Sequence, residues 1–579
     1  MSTPKGIRYI PAIDGLRAVA VIAVLLYHLG FDWIPGGFLG VDLFFVISGY
    51  VITRLLLDSI QRSGGLDLRG FYAGRIRRLL PPLLFMLVIT AIFVGVWAPD
   101  SMRRFITDAP FAITGLMNWW LVFKHQDYFE SFGRPPLLQH TWSLGVEAQY
   151  YLFWPLILLF VLKVFGKKVI PTAALAIATF SGIALFLASV RVDQTSSQSI
   201  SHVYFGTDTH SIGLFLGSAL AVSWIPQNLR LNIEKRAQDF IDFIGVFGLI
   251  GLLASFLFIK EADATAYRIA FPLVGIFGSA IIMSIVHPAS RFAPILQHPV
   301  MVWIGERSYA IYLWHWIVFQ VTRPAQDLAG STWALYLFRI LVVFALADIS
   351  QRWIEVPVRN GVISNWFRGM KYRTKEVQRR QKATAGLVAL ALLSTVAVVS
   401  SNAIAIADKN NQVVKQMFKD DQVATISKVD GLWVVGDSVI LGIRNALEEK
   451  SHIGLINARV GRQAGELLDV IKHDKAKMVG MKTVINLGNN NRLTSDEVSA
   501  IFAELKDQPL VVVVNTAVPR GWRDENNQLI QQEAWKYANF KVIDWASKSE
   551  NHPEYFAPDG VHLIPAGIAA YVDAITNYL

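Results

Sequence analysis

Three stretches near the C-terminus hold residue types that together can do acyl chemistry. VVGDSVILGI places Ser438 directly after a Val-rich run and before a helical one. A serine at a strand-to-helix turn sits at the carboxyl edge of a sheet, where α/β folds place their sites. The helix N-terminus behind it favours a developing negative charge. Taken alone, Ser438 reads as readily as a helix cap. FAPDGVHLIPAG sets Asp559 and His562 three residues apart. An Asp-x-x-His turn lets a carboxylate hold the imidazole while the imidazole takes the serine proton, a catalytic triad in an unusual chain order. Between these stretches lie Gly461, in ARVGRQ, and Asn490, in the GNNN that follows VINL. A backbone N–H and a side-chain amide are the groups an oxyanion hole needs.

A second set of polar residues lies in an apolar setting. AIDGLRAVAVIAVLLYHLG (12–30) has the length and apolarity of a membrane span, yet carries Arg17 and His28. Eleven residues are nearly three helical turns, so both lie on one face, about 16 Å apart along the axis. Ionisable residues in a span are costly and usually line a pathway or site. The blander alternative is an arginine that snorkels to the headgroups and a histidine bonded to a neighbouring carbonyl. FYAGRIRRLLPP (71–82) puts Arg75 and Arg78 on a loop entering the next span. They are either a plain basic cluster or a phosphate clamp, since guanidinium matches phosphate oxygens with paired hydrogen bonds. HTWSLGVEAQYYLFWP (140–155) opens a span with His140 and Glu147, both expected on the outer side.

These residues need elements to hold them. The 579 residues are 53% hydrophobic and only 17% charged, where soluble domains carry about 25% charged residues. The chain is therefore an integral membrane protein with room for a soluble domain. With no cysteine, thiol catalysis, disulfides and Cys-ligated metals are excluded; no metal site is expected. The net charge of +10 reads as basic cytoplasmic loops and not as nucleic-acid binding. About eleven spans are expected, near 12–30, 38–58, 80–98, 147–165, 170–190, 211–225, 239–259, 268–287, 307–323, 332–350 and 384–406. No cleavable signal peptide precedes them. Arg and Lys residues follow the second, fourth and sixth spans and precede the last, which puts the N-terminus in the cytoplasm. The stretch 105–123 holds Asp108, Pro110 and Asn118, and reads as an interfacial or re-entrant segment on the outer side. Residues 359–407 form a basic cytoplasmic loop and the last span, and 408–429 a polar linker. Residues 430–579 lie outside the membrane. There, Val/Ile-rich runs alternate with helical segments, the pattern of a three-layer α/β domain with a parallel sheet.

The ordered set Ser438, Gly461, Asn490 and His562, with Asp559, resembles the SGNH hydrolases over roughly 430–579. The resemblance implies Ser438 as nucleophile, His562 as base, Asp559 as its orienter, and Gly461 and Asn490 as oxyanion donors. The Arg17-x10-His28 run, GVDLFFVISGYVIT, Arg75-x-x-Arg78, WSLGVE and WIGERSYAIYLWHW (303–316) resemble the membrane acyltransferase-3 family over about 8–358. By that resemblance His28 is the essential histidine, and Arg17, Arg75 and Arg78 serve the acyl-CoA end of the path; Glu147, flanked by apolar residues, reads either as a further pathway residue or as a helix-start carboxylate. Tyr204, in YFGTDTH, is a candidate acyl acceptor; that stretch usually ends in Arg, and here in His210.

Together the halves resemble the peptidoglycan O-acetyltransferases of Gram-positive bacteria: multi-pass proteins of the cell membrane that bind no permanent cofactor and take acetyl-CoA as donor. The partners implied are acetyl-CoA, peptidoglycan or another envelope glycan, and membrane lipid. Three rivals remain: acetylation of another envelope polysaccharide or teichoic acid, a transporter with an attached acetylesterase, and a non-catalytic glycan-binding module.

Overall fold

In a bilayer, long apolar runs can satisfy their backbone groups only as helices or closed barrels, and helices are what the first four hundred residues form. The computed structural model describes residues 9–31, 33–124, 135–191, 197–260, 266–322, 332–417, 431–459, 461–519, 522–557 and 560–579. It divides into a helical unit and a C-terminal α/β unit.

The helical unit begins with α1 (Pro11–Leu29), α2 (Gly40–Ser63), α3 (Leu68–Trp97), α4 (Met102–Thr114), α5 (Met117–Phe123) and α6 (Trp142–Val164). It continues with α7 (Ile170–Arg191), α8 (Ser197–Phe205), α9 (Ile212–Ser223), α10 (Lys235–Phe258), α11 (Phe271–Ile285) and α12 (Ala293–Leu296). Then come α13 (Pro299–Val321), α14 (Thr332–Ile349), α15 (Val356–Arg359), α16 (Val362–Met370) and α17 (Lys375–Met417). Among the described residues, nine helical segments are long and apolar enough to cross a membrane. The expected spans at 211–225 and 307–323 are the other two. The first is the 12-residue α9; the second is α13, 23 residues long but interrupted by Glu306, Arg307 and His315. The stretch 105–123 breaks at Gly115 into helices of 13 and 7 residues, neither long enough to span.

Two other boundaries differ from expectation. Arg75 and Arg78 sit on α3 itself and not on a loop, because Asp67 caps the helix by accepting the Gly70 N–H. Residues 408–417, expected as linker, continue α17, since no Gly or Pro interrupts them.

Close helix contacts depend on glycine. A Cβ on Gly305 of α13 would stand 1.8 Å from the Asp14 carbonyl of α1, and one on Gly49 of α2 would stand 1.9 Å from the Leu214 carbonyl of α9. The α1–α13 contact fixes the depth of everything those helices carry.

The α/β unit has five parallel strands: β1 (Leu432–Gly436), β2 (Ile453–Ala458), β3 (Thr483–Asn486), β4 (Val511–Val514) and β5 (Phe540–Ile543), ordered β2-β1-β3-β4-β5. Strands β1, β3 and β4 are buried at every position. Val434, Val484 and Val512 pack into a core on one face, and Val435, Ile485 and Val513 into a core on the other. The strand order reverses at β1, which has β2 on one side and β3 on the other. Ligands in such sheets bind beyond the carboxyl ends at that switch point.

Candidate active sites

Ser438 follows β1 at the switch point and is the first residue of α18 (Ser438–Lys450). The helix cap is its neighbour: the Asp437 carboxylate accepts the Val439 N–H at 2.9 Å. Ser438 is thus free of capping duty. Its Oγ is buried and has no hydrogen-bond partner among the described residues.

Asp437 is the hub of the surrounding network. Its Oδ2 accepts the Asn489 amide at 2.9 Å and the Asn490 amide at 3.3 Å. Burial raises its carboxyl to about 6; the Val439 N–H, the Asn489 amide and His562 pull the other way. Asn490 Nδ2 also donates to the Arg462 carbonyl at 2.9 Å. Both its amide protons are therefore directed at protein oxygens, while its Oδ1 is buried without a partner among the described residues. Acting as an oxyanion donor requires Asn490 to exchange one of these bonds.

Gly461 has φ 78°, a left-handed conformation that glycine adopts without strain. The next residue anchors its loop. Arg462 donates to the carbonyls of Gly436 and Asn457 at 3.0 and 2.5 Å and to the Asn457 side chain at 2.8 Å. His562 lies in the turn before the last helix, its carbonyl accepting the Ala557 N–H at 2.7 Å. Asp559 lies outside the described residues.

In the helical unit, Arg17, Arg75, Arg78 and Glu147 line one cavity of about 770 Å³. Asp14 pairs with Arg17 at 3.1 Å. Arg54, Arg307, Arg352 and Arg359 also line the cavity, whose carboxylates are Asp14, Glu147 and Glu306, so its wall carries more arginines than acids. Glu147 accepts the Ser48 hydroxyl at 2.5 Å. This corrects the expectation that Glu147 faces outward beside His140. Seven residues separate the two, which is about 10 Å along a helix, and that length carries Glu147 inward to the arginines.

Gly305 abuts Asp14 and His315 abuts His28, so α13 runs alongside α1 in the same direction. Tyr312 falls between in depth. The cavity reaches Tyr312 and Ser143, whose hydroxyls lie 2.8 Å apart. The Tyr312 hydroxyl also donates to the His140 carbonyl at 2.8 Å. Beyond this pair stand three imidazoles: His28 Nδ1 is 3.2 Å from His315 Nε2, and the His140 and His315 rings are 5.8 Å apart.

Tyr204 is placed elsewhere. It is buried among Phe38, Trp142 and Phe271 and does not line the cavity. Its carbonyl is 2.6 Å from His210 Nδ1, and His210 Nε2 is 2.9 Å from Asp42. The stretch thus ends in a buried His–Asp pair. Among the described residues, no group of three or more His, Asp or Glu side chains is arranged to hold a metal ion.

Comparison with known proteins bears on both halves. The acyltransferase domain model of the acyltransferase-3 family matches residues 10–352. The chain belongs to this family of acyltransferases.

Its relatives match nearly end to end. The peptidoglycan O-acetyltransferase OatA of Listeria monocytogenes is 32% identical, covering 99% of this chain and 98% of its own. The O-acetyltransferase OatA of Staphylococcus aureus is 34% identical, covering 98% and 96%. The solved C-terminal catalytic domain of Streptococcus pneumoniae OatA, with a methylsulfonyl adduct, aligns to 26% of this chain and 92% of its own at 24% identity. Its TM-score of 0.24 is too low to add to the fold described above. This acyltransferase therefore joins a multi-helix membrane unit to a parallel-sheet α/β unit.

Three groups in these sites were not singled out from sequence. Arg462 and Asp437 stand inside quoted motifs, VGRQ and GDS, beside residues that drew the attention. His315 stands in YLWHW, and only its fold partner His28, 287 positions away, marks it.

Proposed function

We propose that this acyltransferase moves acetyl groups from cytoplasmic acetyl-CoA across the membrane to hydroxyls of peptidoglycan. The observation that carries the proposal is the end-to-end match to a relative named as a peptidoglycan O-acetyltransferase. The basic loops support an N-terminus in the cytoplasm and an α/β unit outside. The arginine-lined cavity suits the phosphates of an acyl-CoA, with Arg17, Arg75 and Arg78 as its grip, Glu147 beside them, and His28 as base or relay further in.

In the outer unit, Ser438 Oγ attacks the acetyl carbonyl and its proton passes to His562. The oxyanion is held by the N–H groups of Ser438 and Gly461 and by Asn490, and collapses to the Ser438 acetyl ester as the carrier leaves with the proton. Asp559 orients His562. A glycan hydroxyl then gives its proton to His562 and attacks the ester carbonyl, so that acetyl passes to the sugar oxygen and Ser438 regains its proton. Tyr204, buried in its aromatic cluster, takes no part in this scheme.

The test is base-labile acetate on purified peptidoglycan from a deletion strain complemented with wild type or Ser438→Ala. Restoration by wild type alone supports the proposal. Equal wall acetate in every strain defeats peptidoglycan as the acceptor and points to another envelope polymer.

A further inference from the structure

Between the apolar segments Trp333–Arg359 and Lys375–Ile406, each long enough to cross a membrane, lies the short helix α16. Its nine residues rise about 14 Å, too little to cross a hydrocarbon core of about 30 Å. It therefore stays on the side of the membrane where α14 ends and α17 begins. Val362, Ile363, Trp366, Phe367 and Met370 fall within an arc of about 140° on this helix. Ser364, Asn365 and Arg368 hold the opposite face. The protein covers little of the apolar arc. Val362, Ile363 and Phe367 are 56%, 48% and 63% exposed, and of the five only Met370 is buried. A helix with one bare apolar face and one polar face lies flat in the boundary between headgroups and acyl chains.

The chain that follows is cationic. Lys371, Arg373, Lys375, Arg379, Arg380 and Lys382 stand within twelve residues, against the single acid Glu376. Lys375, Arg379 and Lys382, spaced by four and three, share one face of the first turns of α17, where like charges repel. Among the described residues none of the six forms an ion pair with a carboxylate. Arg373 bonds to the neutral Gln381 side chain, and Lys371 sits 4.8 Å from the centre of the Tyr372 ring. The apolar stretch of α17 begins at Ala383, which sets these charges at the depth of the headgroups. A basic flank alone follows from the orientation of a span. The bare amphipathic helix beside it calls for acyl chains as well as anions, and an anionic phospholipid supplies both.

We infer that residues 362–382 form a docking surface for anionic phospholipid, with the apolar face of α16 among the acyl chains and the six cations against the headgroups. That this lipid belongs to the cytoplasmic leaflet rests on the orientation proposed above; the preference for anionic lipid does not.

The experiment uses the full-length protein in bilayers of phosphatidylcholine with a minority of phosphatidylglycerol. Electron paramagnetic resonance of spin-labelled lipid measures the fraction held at the protein surface. Phosphatidylglycerol should be held about threefold or more over phosphatidylcholine. Salt at about 1 M, where the Debye length is about 3 Å, should erase most of that preference. Lys371→Gln, Arg373→Gln, Lys375→Gln, Arg379→Gln, Arg380→Gln and Lys382→Gln combined should lower it about twofold or more. Because the chain has no cysteine, a nitroxide on one introduced cysteine reports its own surroundings. The label in Phe367→Cys should meet oxygen dissolved among acyl chains, and the label in Asn365→Cys a water-soluble nickel chelate. Equal retention of the two lipids by wild type, the wild-type preference in the folded combined variant, or water at both labels overturns the inference. Displacement of the lipid by inorganic phosphate at matched ionic strength marks a soluble-anion site and overturns it too. If the combined variant does not fold, the salt dependence and the two labels decide. Acetyl transfer plays no part in this assay, so wall acetate unchanged by deletion would defeat the proposed acceptor and leave the lipid result standing.

Discussion

Asn489 donates its amide to the Asp437 carboxylate at 2.9 Å, while its own Oδ1 accepts the Thr516 hydroxyl at 2.5 Å. One side chain thus ties the loop after β3 to the turn that presents Ser438 and to the end of β4. Asn489→Ala leaves the buried Thr516 hydroxyl proton without its acceptor and the carboxylate one donor short. We expect the outer unit to lose about 1–3 kcal/mol and transfer to fall at least several-fold. Denaturant unfolding of the 430–579 fragment and acetyl transfer to a soluble glycan acceptor would measure both.

Burial lifts the Asp437 carboxyl to about 6 from an ordinary 3.8. An acid with a raised native pKa contributes stability that is full below its unfolded pKa and is lost as pH rises through the native value. Wild-type stability should therefore fall between about pH 4 and pH 6.5, this one group contributing up to about 3 kcal/mol. Asp437→Asn removes the titration, while groups that do not face Asp437 titrate alike in both proteins. The difference between the two stability–pH profiles should carry the whole effect, and superimposable profiles would refute it.

Arg462 bridges Gly436 and Asn457 through three hydrogen bonds from one guanidinium. Lysine keeps the charge but not the planar fork. Arg462→Lys should lower the melting temperature of the outer unit and cut transfer about tenfold or more, because the loop carrying Gly461 loses its anchor. A melting curve and a rate unchanged from wild type would remove Arg462 from that role.

Gly305 meets the Asp14 carbonyl so closely that any Cβ forces α1 and α13 apart. Gly305→Val should lower the thermal stability of the detergent-purified full-length protein. It should also abolish acetyl-CoA-dependent wall acetylation by displacing Arg17 and its Asp14 partner. Transfer by a 430–579 fragment from a soluble activated ester should be unaffected, since the substitution lies outside it.

Much of this was legible in the residues themselves. Strands β1, β3 and β4 announced themselves as Val/Ile runs because strands covered on both faces need apolar side chains at every position. Ser438 was legible because GDS stands where such a strand ends. Glu147 was misplaced because a motif gives order along the chain, whereas depth follows from rise per residue. Arg75 and Arg78 were assigned to a loop because their polarity hid a helix that Asp67 starts early. The engagement of Asn490 with the Arg462 carbonyl has no signature in sequence at all, since it depends on two loops meeting at a sheet edge. His315 lay inside an apolar run, and its meaning came only from the helix packed beside it.

Arg17 and His28 share one face of α1, with the Ser143–Tyr312 pair between them in depth. A helix does not stretch, so their separation is a fixed gauge of about 16 Å. A donor gripped by its phosphates at the arginine end presents its acyl group to the histidines only if its own arm matches that gauge. Under the function proposed above, donors would be sorted by reach before any bond is made: a compact acyl phosphate would stop short among the arginines, while a thioester on a long flexible arm has the length to approach the histidines.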